Sequence, residues 1–395
     1  MHMGFYGNRE LFVPGVPSSG AVLFMRQAAQ DSVEYTTEEG WSVSAREGER
    51  GLVIRGAGMR RSEDVLNHAE ESSHIALDIF SATRGVTSTL VRPSDLYIAW
   101  WCVKGRHVVR ISSTDTMQLR GKARGIAKGG AVESEPPGWH PSLRYYRHAN
   151  TTSDLLDAFR NIYLALESII SDFRPKREGE AEAEWLRSAL KDISGELDLR
   201  PYTSSVSKDP EDAIVEKVYT DARTATFHSK HGRRVILPYG ADRRKSLALT
   251  TRQMRDMYAG IAQAHLGIHV TQGSRFVGRA YGIMFDSVVD PSEMYISPDA
   301  SKEQKGARGV PGNLRRLHRS SKKSSKDGFL STVTASVGLK EEQLTVREFG
   351  LLLNNEIGLF NTFETPLELC GSQTLEVSIS VRGGEEGSSV PVYVT

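Results

Sequence analysis

The amino-acid sequence predicts a multidomain α+β protein with a central all-α four-helix bundle flanked by β-rich N-terminal and C-terminal domains. Two observations predict this class. The 395 residues exceed the usual length of one domain, and four helix patterns in the middle separate regions of short β-rich runs. We expect a mixed, β-rich domain at 1–145, the helical bundle at 150–267, and a β-rich region at 268–395 with a flexible basic loop at 301–327.

Composition excludes several classes of protein. Hydrophobic residues make up 39% and charged residues 25%, as in ordinary soluble domains. No apolar run approaches the ~20 residues that a membrane-spanning helix needs. Arg9 and Glu10 stand where a signal peptide would have its apolar core. With only two cysteines, Cys102 and Cys370, and no zinc-ligand spacing, we expect a cytoplasmic protein with two buried thiols, no metal and no cofactor.

The N-terminal region combines strands with one helix. Ser62 is the expected N-cap of that helix, acidic residues fill its first turn, and Gly85 follows its end. Trp100 and Trp101 lie in a strand pattern, so one ring faces each side of the sheet. The inner ring is expected in the core, and the outer one either packs or stacks on a base or a partner.

The middle region has four segments with helical periodicity and capping signals. The apolar residues of the first fall on one continuous arc, as in an amphipathic helix. The third begins with Asp209 as N-cap and Pro210 at the first helical position. The predicted helices run, in order, from Thr151 to Phe173, through Trp185 to Ile193, from Asp209 to Lys230, and from Thr250 to Gly267.

The C-terminal region returns to strand patterns, interrupted by one predicted helix around 346–357. The predicted strands are 280–285, 294–296, 330–337, 375–381 and 390–394. Asp286, Asp290 and Glu293 could gather a cation, although a turn at Pro291 explains them equally well.

Basic residues are unevenly distributed although the net charge is only +1. Residues 302–326 contain nine Lys or Arg against one acidic residue, and residues 104–128 contain seven against one. Such stretches can follow a phosphate backbone. A solvated loop neutralised from elsewhere is an equally good interpretation.

Arg223 and His228 form the motif most directly linked to chemistry. On a helix with 100° per residue, both lie away from the apolar arc, although not along one line. Arginine has a planar donor fork suited to phosphate oxygens, and histidine titrates near neutrality, as general acid–base catalysis requires. Together they could cleave RNA without metal. An ordinary exposed face near a helix end is the alternative interpretation.

The segment resembles the HEPN superfamily, whose motif is R-x(4–6)-H near the end of the third helix of a bundle. Arg223 and His228 match with four intervening residues, and the likeness covers about 115 of the 395 residues. The resemblance implies a homodimer in which two motifs meet, and metal-independent ribonuclease activity in many members. Thr224 departs from the Asn, Asp or His usual after the family's arginine, and other members are non-catalytic.

Basic residues around the motif are candidates for holding a phosphate backbone, with helix-end compensation and solubility as the alternative. They are Lys230, His231, Arg233, Arg234, Arg243 and Arg244. Arg160 and Glu167 share one edge of the first helix's apolar stripe. They either support a dimer seam, orient Arg223, or are ordinary rim charges.

The leading functional hypothesis is therefore a homodimeric, metal-independent endoribonuclease that acts on RNA, with a role in bacterial defence (antiviral) or as a toxin by analogy alone. A non-catalytic dimerisation or interaction protein is the first alternative. A nucleic-acid-binding protein that uses the basic segment near residue 315 is the second. A membrane partner is not expected.

Overall fold

A computed structural model describes most of the chain, and its described residues form two compact units. One unit is formed within Met1–Gln118 and Phe276–Gly383, and the other within Leu119–Arg275. The described residues are 3–12, 16, 18–59, 61–84, 88–91, 95–117, 138–152, 154–203, 209–223, 226, 241–268, 286–287, 289–301, 303–304, 307–308, 310–324, 330–339, 343–353, 356–371 and 373–383.

The first unit is built mainly of strands. In chain order they are β1 (Met3–Tyr6), β2 (Arg9–Phe12), β3 (Ser18–Phe24), β4 (Val33–Thr36), β5 (Ser42–Ala45), β6 (Gly51–Ala57), β7 (Leu96–Val103), β8 (Arg106–Met117), β9 (Glu293–Ser297), β10 (Glu303–Gln304), β11 (Ala307–Arg308), β12 (Arg315–Leu317), β13 (Arg319–Ser324), β14 (Leu330–Gly338), β15 (Gln343–Leu353), β16 (Glu356–Cys370) and β17 (Thr374–Gly383).

Two large sheets contain fifteen of these strands. The six-stranded sheet has the order β12-β9-β15-β16-β1-β2, and the nine-stranded sheet has the order β13-β14-β17-β8-β7-β3-β6-β5-β4. All pairs within them are antiparallel except β17 with β8, which is parallel. A parallel pair needs a crossover connection, and here the chain between β8 and β17 includes all the helices of the second unit.

Helix α1 (Ser62–Arg84), which the capping signals at Ser62 predicted, covers one face of the nine-stranded sheet. The six-stranded sheet covers the other face, where the ring of Phe12 lies 6.4 Å from that of Trp100. Strand β3 is therefore buried on both sides, which explains its nearly continuous run of small and apolar residues. Trp100 and Trp101 do face opposite sides, and the exposed fractions of their side chains are 0% and 6%, so neither ring is free to stack on a base.

The second unit is helical. It contains α2 (Pro141–Thr151), α3 (Leu155–Phe173), α4 (Glu182–Ile193), a 3₁₀ turn (Arg200–Tyr202), α5 (Pro210–Ile214), a π-helix (Val215–Arg223) and α6 (Ala241–Leu266). Their apolar faces share one core cluster, in which Phe159, Trp185 and Tyr258 are the largest side chains. Asp154 caps α3 by accepting a 2.8 Å hydrogen bond from the Asp157 backbone N–H.

The predicted fold class, a four-helix bundle between separate β-rich domains, is wrong. The chain is rich in strands, and both large sheets combine strands from its two ends, as β1 with β16 and β8 with β17 show. The predicted helical bundle is wrong too, because the third expected helix is a five-residue α-helix followed by a π-helix, and α2 is an additional helix. Helical periodicity is a property of one segment of the chain. It contains no information on strand pairing between distant residues.

Two further predictions in the C-terminal region are wrong. The expected helix around 346–357 is the β15–β16 pair, in which the Gly350 backbone lies against the Leu359 carbonyl and leaves no space for a Cβ. The expected flexible loop at 301–327 contains β12 and β13, which are the outer strands of the two large sheets. Charged residues suit such positions because they discourage further edge-to-edge pairing.

Candidate functional site around Arg223

Arg223 is the last residue of the π-helix that continues α5. A π-helix closes i→i+5 hydrogen bonds, so its turn is wider than that of an α-helix, and such turns are frequent at functional sites. The projection at 100° per residue therefore does not apply to this segment. The Arg223 side chain is only 20% exposed and lies against α3 and α4 of its own chain, in contrast to the expected outward direction.

Glu182 is the direct partner of Arg223. Arg223 Nη2 donates a hydrogen bond to Glu182 Oε2 at 2.9 Å, and 17% of the Glu182 side chain is exposed. Glu182 is the first residue of α4, where the positive end of the helix dipole favours a carboxylate. The ion pair thus ties the end of the π-helix to the beginning of α4.

Two tyrosines surround the ion pair. The Arg223 guanidinium lies 5.0 Å from the ring centre of Tyr219 and 5.8 Å from that of Tyr163, both within cation–π distance. Tyr163 Oη also donates a 2.8 Å hydrogen bond to Glu182 Oε1. Each carboxylate oxygen of Glu182 therefore accepts from a different side chain.

Burial and charge shift two ionisation equilibria beside this pair. Burial raises the pKa of Tyr163, and the hydrogen bond and negative charge of Glu182 raise it further. Burial likewise raises the pKa of Glu167, and the Glu182 charge adds to that effect while Arg223 opposes it. Perturbed pKa values of this kind mark candidate functional sites, although structural ion-pair networks produce them as well.

The cavity next to the cluster is small. It is lined by Tyr163 and Glu167 together with apolar side chains of α3, α4, α5 and the π-helix, and by Met257 of α6. It has room for about one water molecule. The described geometry thus provides an ion pair, two phenol rings and a second carboxyl group beside a cavity that is too small for a nucleotide.

The other predicted site residues are placed as follows. Arg160 donates a 3.0 Å hydrogen bond to the Thr226 carbonyl and lies 3.5 Å from Asp157, so it braces the chain just after the π-helix. Arg244 is half-buried, and burial lowers its pKa. The backbone of Arg243 belongs to α6. Outside the described residues lie Thr224, His228, Lys230, His231, Arg233 and Arg234.

Sequence reasoning missed Tyr163, Glu182 and Tyr219 as members of the site. The helical pattern places Tyr163 and Tyr219 among apolar residues, and Glu182 stands in an acidic stretch of the chain. A usable signal was present, because a phenol within an apolar stripe needs a polar partner when it is buried. Which residue supplies that partner depends on the packing of α3 against α4.

Acidic residues expected as a possible cation site instead bind basic side chains of the outer strands. Lys322 Nζ lies 2.5 Å from Asp286 and 2.8 Å from Asp290, Arg319 lies 3.6 Å from Asp290, and Arg316 pairs with Glu293. Three of the nine basic side chains in the segment 302–326, those of Arg316, Arg319 and Lys322, are thereby paired. Within the described part of the chain, no group of three or more potential ligands could hold a metal ion.

The structure also shows the surroundings of the two cysteines and of a glycine that precedes α1. Cys102 and Cys370, expected as buried thiols, are free and half-buried. A Cβ at Gly56 in β6 would collide with the Trp41 ring, so this glycine is explained by packing. Among the described residues, no helix has the length and apolar character needed to cross a membrane.

No protein-family model, curated protein or solved structure matches this chain. Inferences about function therefore rest on the chain's own residues and the contacts between them.

Proposed function

We propose that the helical unit is a non-catalytic interaction module in which Arg223 stabilises the fold. The observation behind this proposal is the Arg223–Glu182 ion pair, with about four-fifths of each side chain buried. To bind a scissile phosphate through the same Nη2 atom, Arg223 would have to release Glu182. Removing one partner of a buried ion pair costs about 3–5 kcal/mol, which substrate binding would have to offset.

The charges around Arg223 also oppose an anionic substrate. Glu182 already balances the guanidinium, and the Glu167 carboxyl lies close enough for both charges to affect its pKa. A phosphodiester at Arg223 would therefore add a negative charge beside two carboxyl groups. This arrangement suits a structural cation better than a substrate-binding one.

A metal-independent ribonuclease of the HEPN type is the second candidate. It is favoured by the π-helix that ends at Arg223 and by the raised pKa values of Glu167 and Tyr163. In this candidate, two chains form a cytoplasmic homodimer, and Arg223 and His228 of both chains cleave RNA. Phosphate would then replace Glu182 as the partner of Arg223.

Incubation of the purified protein with labelled RNA in EDTA distinguishes the two candidates. We expect no cleavage by the wild type above that of Arg223→Ala and His228→Ala. Arg187→Ala is a matched control, because Arg187 also pairs with a carboxylate, Asp212, but 48% of its side chain is exposed. Cleavage by the wild type and by this control that is lost in the other two variants would contradict a non-catalytic role.

Self-association is the second readout. The ribonuclease candidate requires two motifs in one particle, so sedimentation at micromolar concentration should detect a dimer. A monomer at that concentration would exclude the composite site. A dimer that does not cleave RNA, and that is unchanged in His228→Ala, would agree with an interaction module.

A further inference from the structure

The outer face of α2 differs from the other described helix surfaces because its charges are all basic. Residues 138–152 contain no acidic residue, and Arg144, Arg147 and His148 are exposed on α2. None of these three has an ion pair with any residue that the structure describes. Folded proteins usually intersperse both signs of charge on their surfaces, whereas the described residues leave the positive charge of this face uncompensated.

Two exposed aromatic rings accompany the basic side chains. Trp139, just before α2, is 76% exposed, and Tyr145 is 37% exposed. A tryptophan this exposed forgoes the stabilisation that burial of its large apolar surface would provide. From Pro141 to His148, α2 rises about 10 Å at 1.5 Å per residue, a length comparable to about three stacked nucleotides.

The opposite face of α2 is held firmly in the core of the helical unit. The Tyr146 ring stacks on that of Tyr258 at 4.6 Å, and Ser142 Oγ is hydrogen-bonded to Tyr258 Oη at 2.8 Å. Arg255 donates a hydrogen bond to the Ala149 carbonyl. The exposed rings and cations are thus presented by a helix that is already ordered, which lowers the entropic cost of binding.

The chain around Trp139 is fixed as well. His140 caps α2, since its Nδ1 accepts a 3.2 Å hydrogen bond from the Ser142 backbone N–H. His140 Nε2 lies 2.8 Å from the Asp172 carboxylate at the end of α3. These contacts position the residue next to Trp139 and leave the indole itself facing solvent.

The first acidic residues that follow α2 in the chain are engaged elsewhere. Asp154 caps α3, and Asp157 lies 3.5 Å from Arg160. Their charges are therefore directed to α3 and not to Arg144 or Arg147.

We infer that this surface, defined by Trp139, Arg144, Tyr145, Arg147 and His148, is a binding site for single-stranded nucleic acid. Aromatic rings stack on unpaired bases, and basic side chains contact the phosphates between them. A duplex would contact only the basic side chains of this surface, because its bases are already stacked on one another and cannot stack on the aromatic rings. An anionic membrane is a poorer fit, since membrane-surface helices bury a broad apolar face, whereas the apolar face of α2 is inside the unit.

The inference rests on the proposed interaction role, for which it names a partner, and it needs no catalytic residue. Single-stranded RNA and DNA share the chemistry used here, and the experiment distinguishes them. The probes are fluorescein-labelled 12-nucleotide oligo(U), oligo(dT) and a 12-base-pair duplex, with binding to the full chain measured by fluorescence anisotropy at two salt concentrations.

Two kinds of variant separate stacking from charge. Trp139→Ala should weaken oligo(dT) binding about 5- to 150-fold, the effect of removing one stacked base, with the salt dependence unchanged. Arg144→Ala with Arg147→Ala should weaken binding and reduce the salt slope by about 0.7 for each phosphate that is no longer neutralised. Leu249→Ala and Arg187→Ala, an exposed apolar residue and an exposed arginine on other helices, should bind like the wild type.

Binding of oligo(U) 10-fold or more tighter than oligo(dT) would identify RNA as the partner, and equal binding would show that the site does not read the 2′-hydroxyl. Wild-type affinity in the Trp139 and double-arginine variants would overturn the inference, as would equal binding of duplex, or binding to phosphatidylserine vesicles in place of the oligonucleotides.

Cleavage that depends on Arg223 tests only the proposed function. The oligo(dT) assay, which lacks a 2′-hydroxyl to attack, remains valid in either case.

Discussion

Replacement of Arg223 by Met, a variant that keeps a long side chain but removes the charge, should destabilise the helical unit. Glu182 would keep its hydrogen bond from Tyr163 but would lose the 2.9 Å hydrogen bond from Arg223. Only 17% of the Glu182 side chain is exposed, so solvent would replace that bond poorly. A buried carboxylate without its cation costs about 3–5 kcal/mol. Removal of the cation–π interaction with Tyr219 adds about 0.5–1 kcal/mol. Because about one-fifth of the pair is exposed, we expect about 3 kcal/mol in total.

Hydrogen–deuterium exchange resolved by mass spectrometry is the appropriate assay, because the chain has two units and a single unfolding transition cannot be assumed. Amides of α4 should exchange about 100-fold faster in Arg223→Met than in the wild type, the rate equivalent of about 3 kcal/mol. The first unit should be unaffected.

A second variant and a control make this prediction specific. Combining Arg223→Met with Glu182→Gln should recover part of the stability, since glutamine still accepts from Tyr163 without a charge. Arg187→Met removes the exposed pair with Asp212. It should change the free energy of local opening, measured by exchange, by less than about 1 kcal/mol. Wild-type protection of α4 in Arg223→Met would refute the structural role of Arg223.

Three further outcomes are expected. Burial raises the pKa of Glu167 above its ordinary value of 4.5. The stability that the protonated carboxyl contributes is therefore present below pH 4.5 and is lost as pH rises through the folded pKa. Glu167→Gln should raise the midpoint of urea unfolding of the helical unit at pH 8 but not at pH 4. Burial raises the pKa of Tyr6 to about 12, so the stability of the wild type should fall between pH 10 and 12. Tyr6→Phe should reduce that fall. Phenolate absorbance measures the titration of Tyr6 directly. Gly20→Ala places a methyl group against the Ile54 carbonyl and the Trp100 ring and should lower stability by at least about 1–3 kcal/mol; an unchanged melting temperature would contradict that packing.

Local signals predicted several elements well. The capped, strongly periodic segment of α3 is a helix from Leu155 to Phe173, and the signals at Ser62 mark α1. The alternation in β14 follows from one buried face. These elements were predictable because their caps and burial pattern are encoded by residues within a few positions of one another.

Elements that depend on distant partners were not predictable in the same way. The segment 346–357 has an apolar run compatible with a helix or a strand, and its pairing with β9 and β16 decided between them. The segment after Pro210 has helical periodicity, but the α-to-π transition placed Arg223 toward Glu182. Neither partner is close in the sequence.

The candidate site shows the same division. Arg223 and Glu167 were singled out from their residue types, and the structure relates them through Glu182 and Tyr163. The role expected for Arg223 depended on the direction of its side chain, which a projection at a fixed angle per residue misplaced. His228 and the basic residues that follow lie outside the described residues, so their pairing with Arg223 stays a prediction.

By itself, the sequence determined which segments could form helices or strands and where the basic and aromatic residues of α2 stand along the chain. Only the tertiary structure decided that both chain ends share two sheets, that Asp286 and Asp290 pair with Lys322 of a basic strand, and that Arg223 pairs with Glu182. The physical reason is that local conformation follows from neighbouring residues, whereas strand pairing, burial and ion pairing are free energies of interaction between residues far apart in the chain.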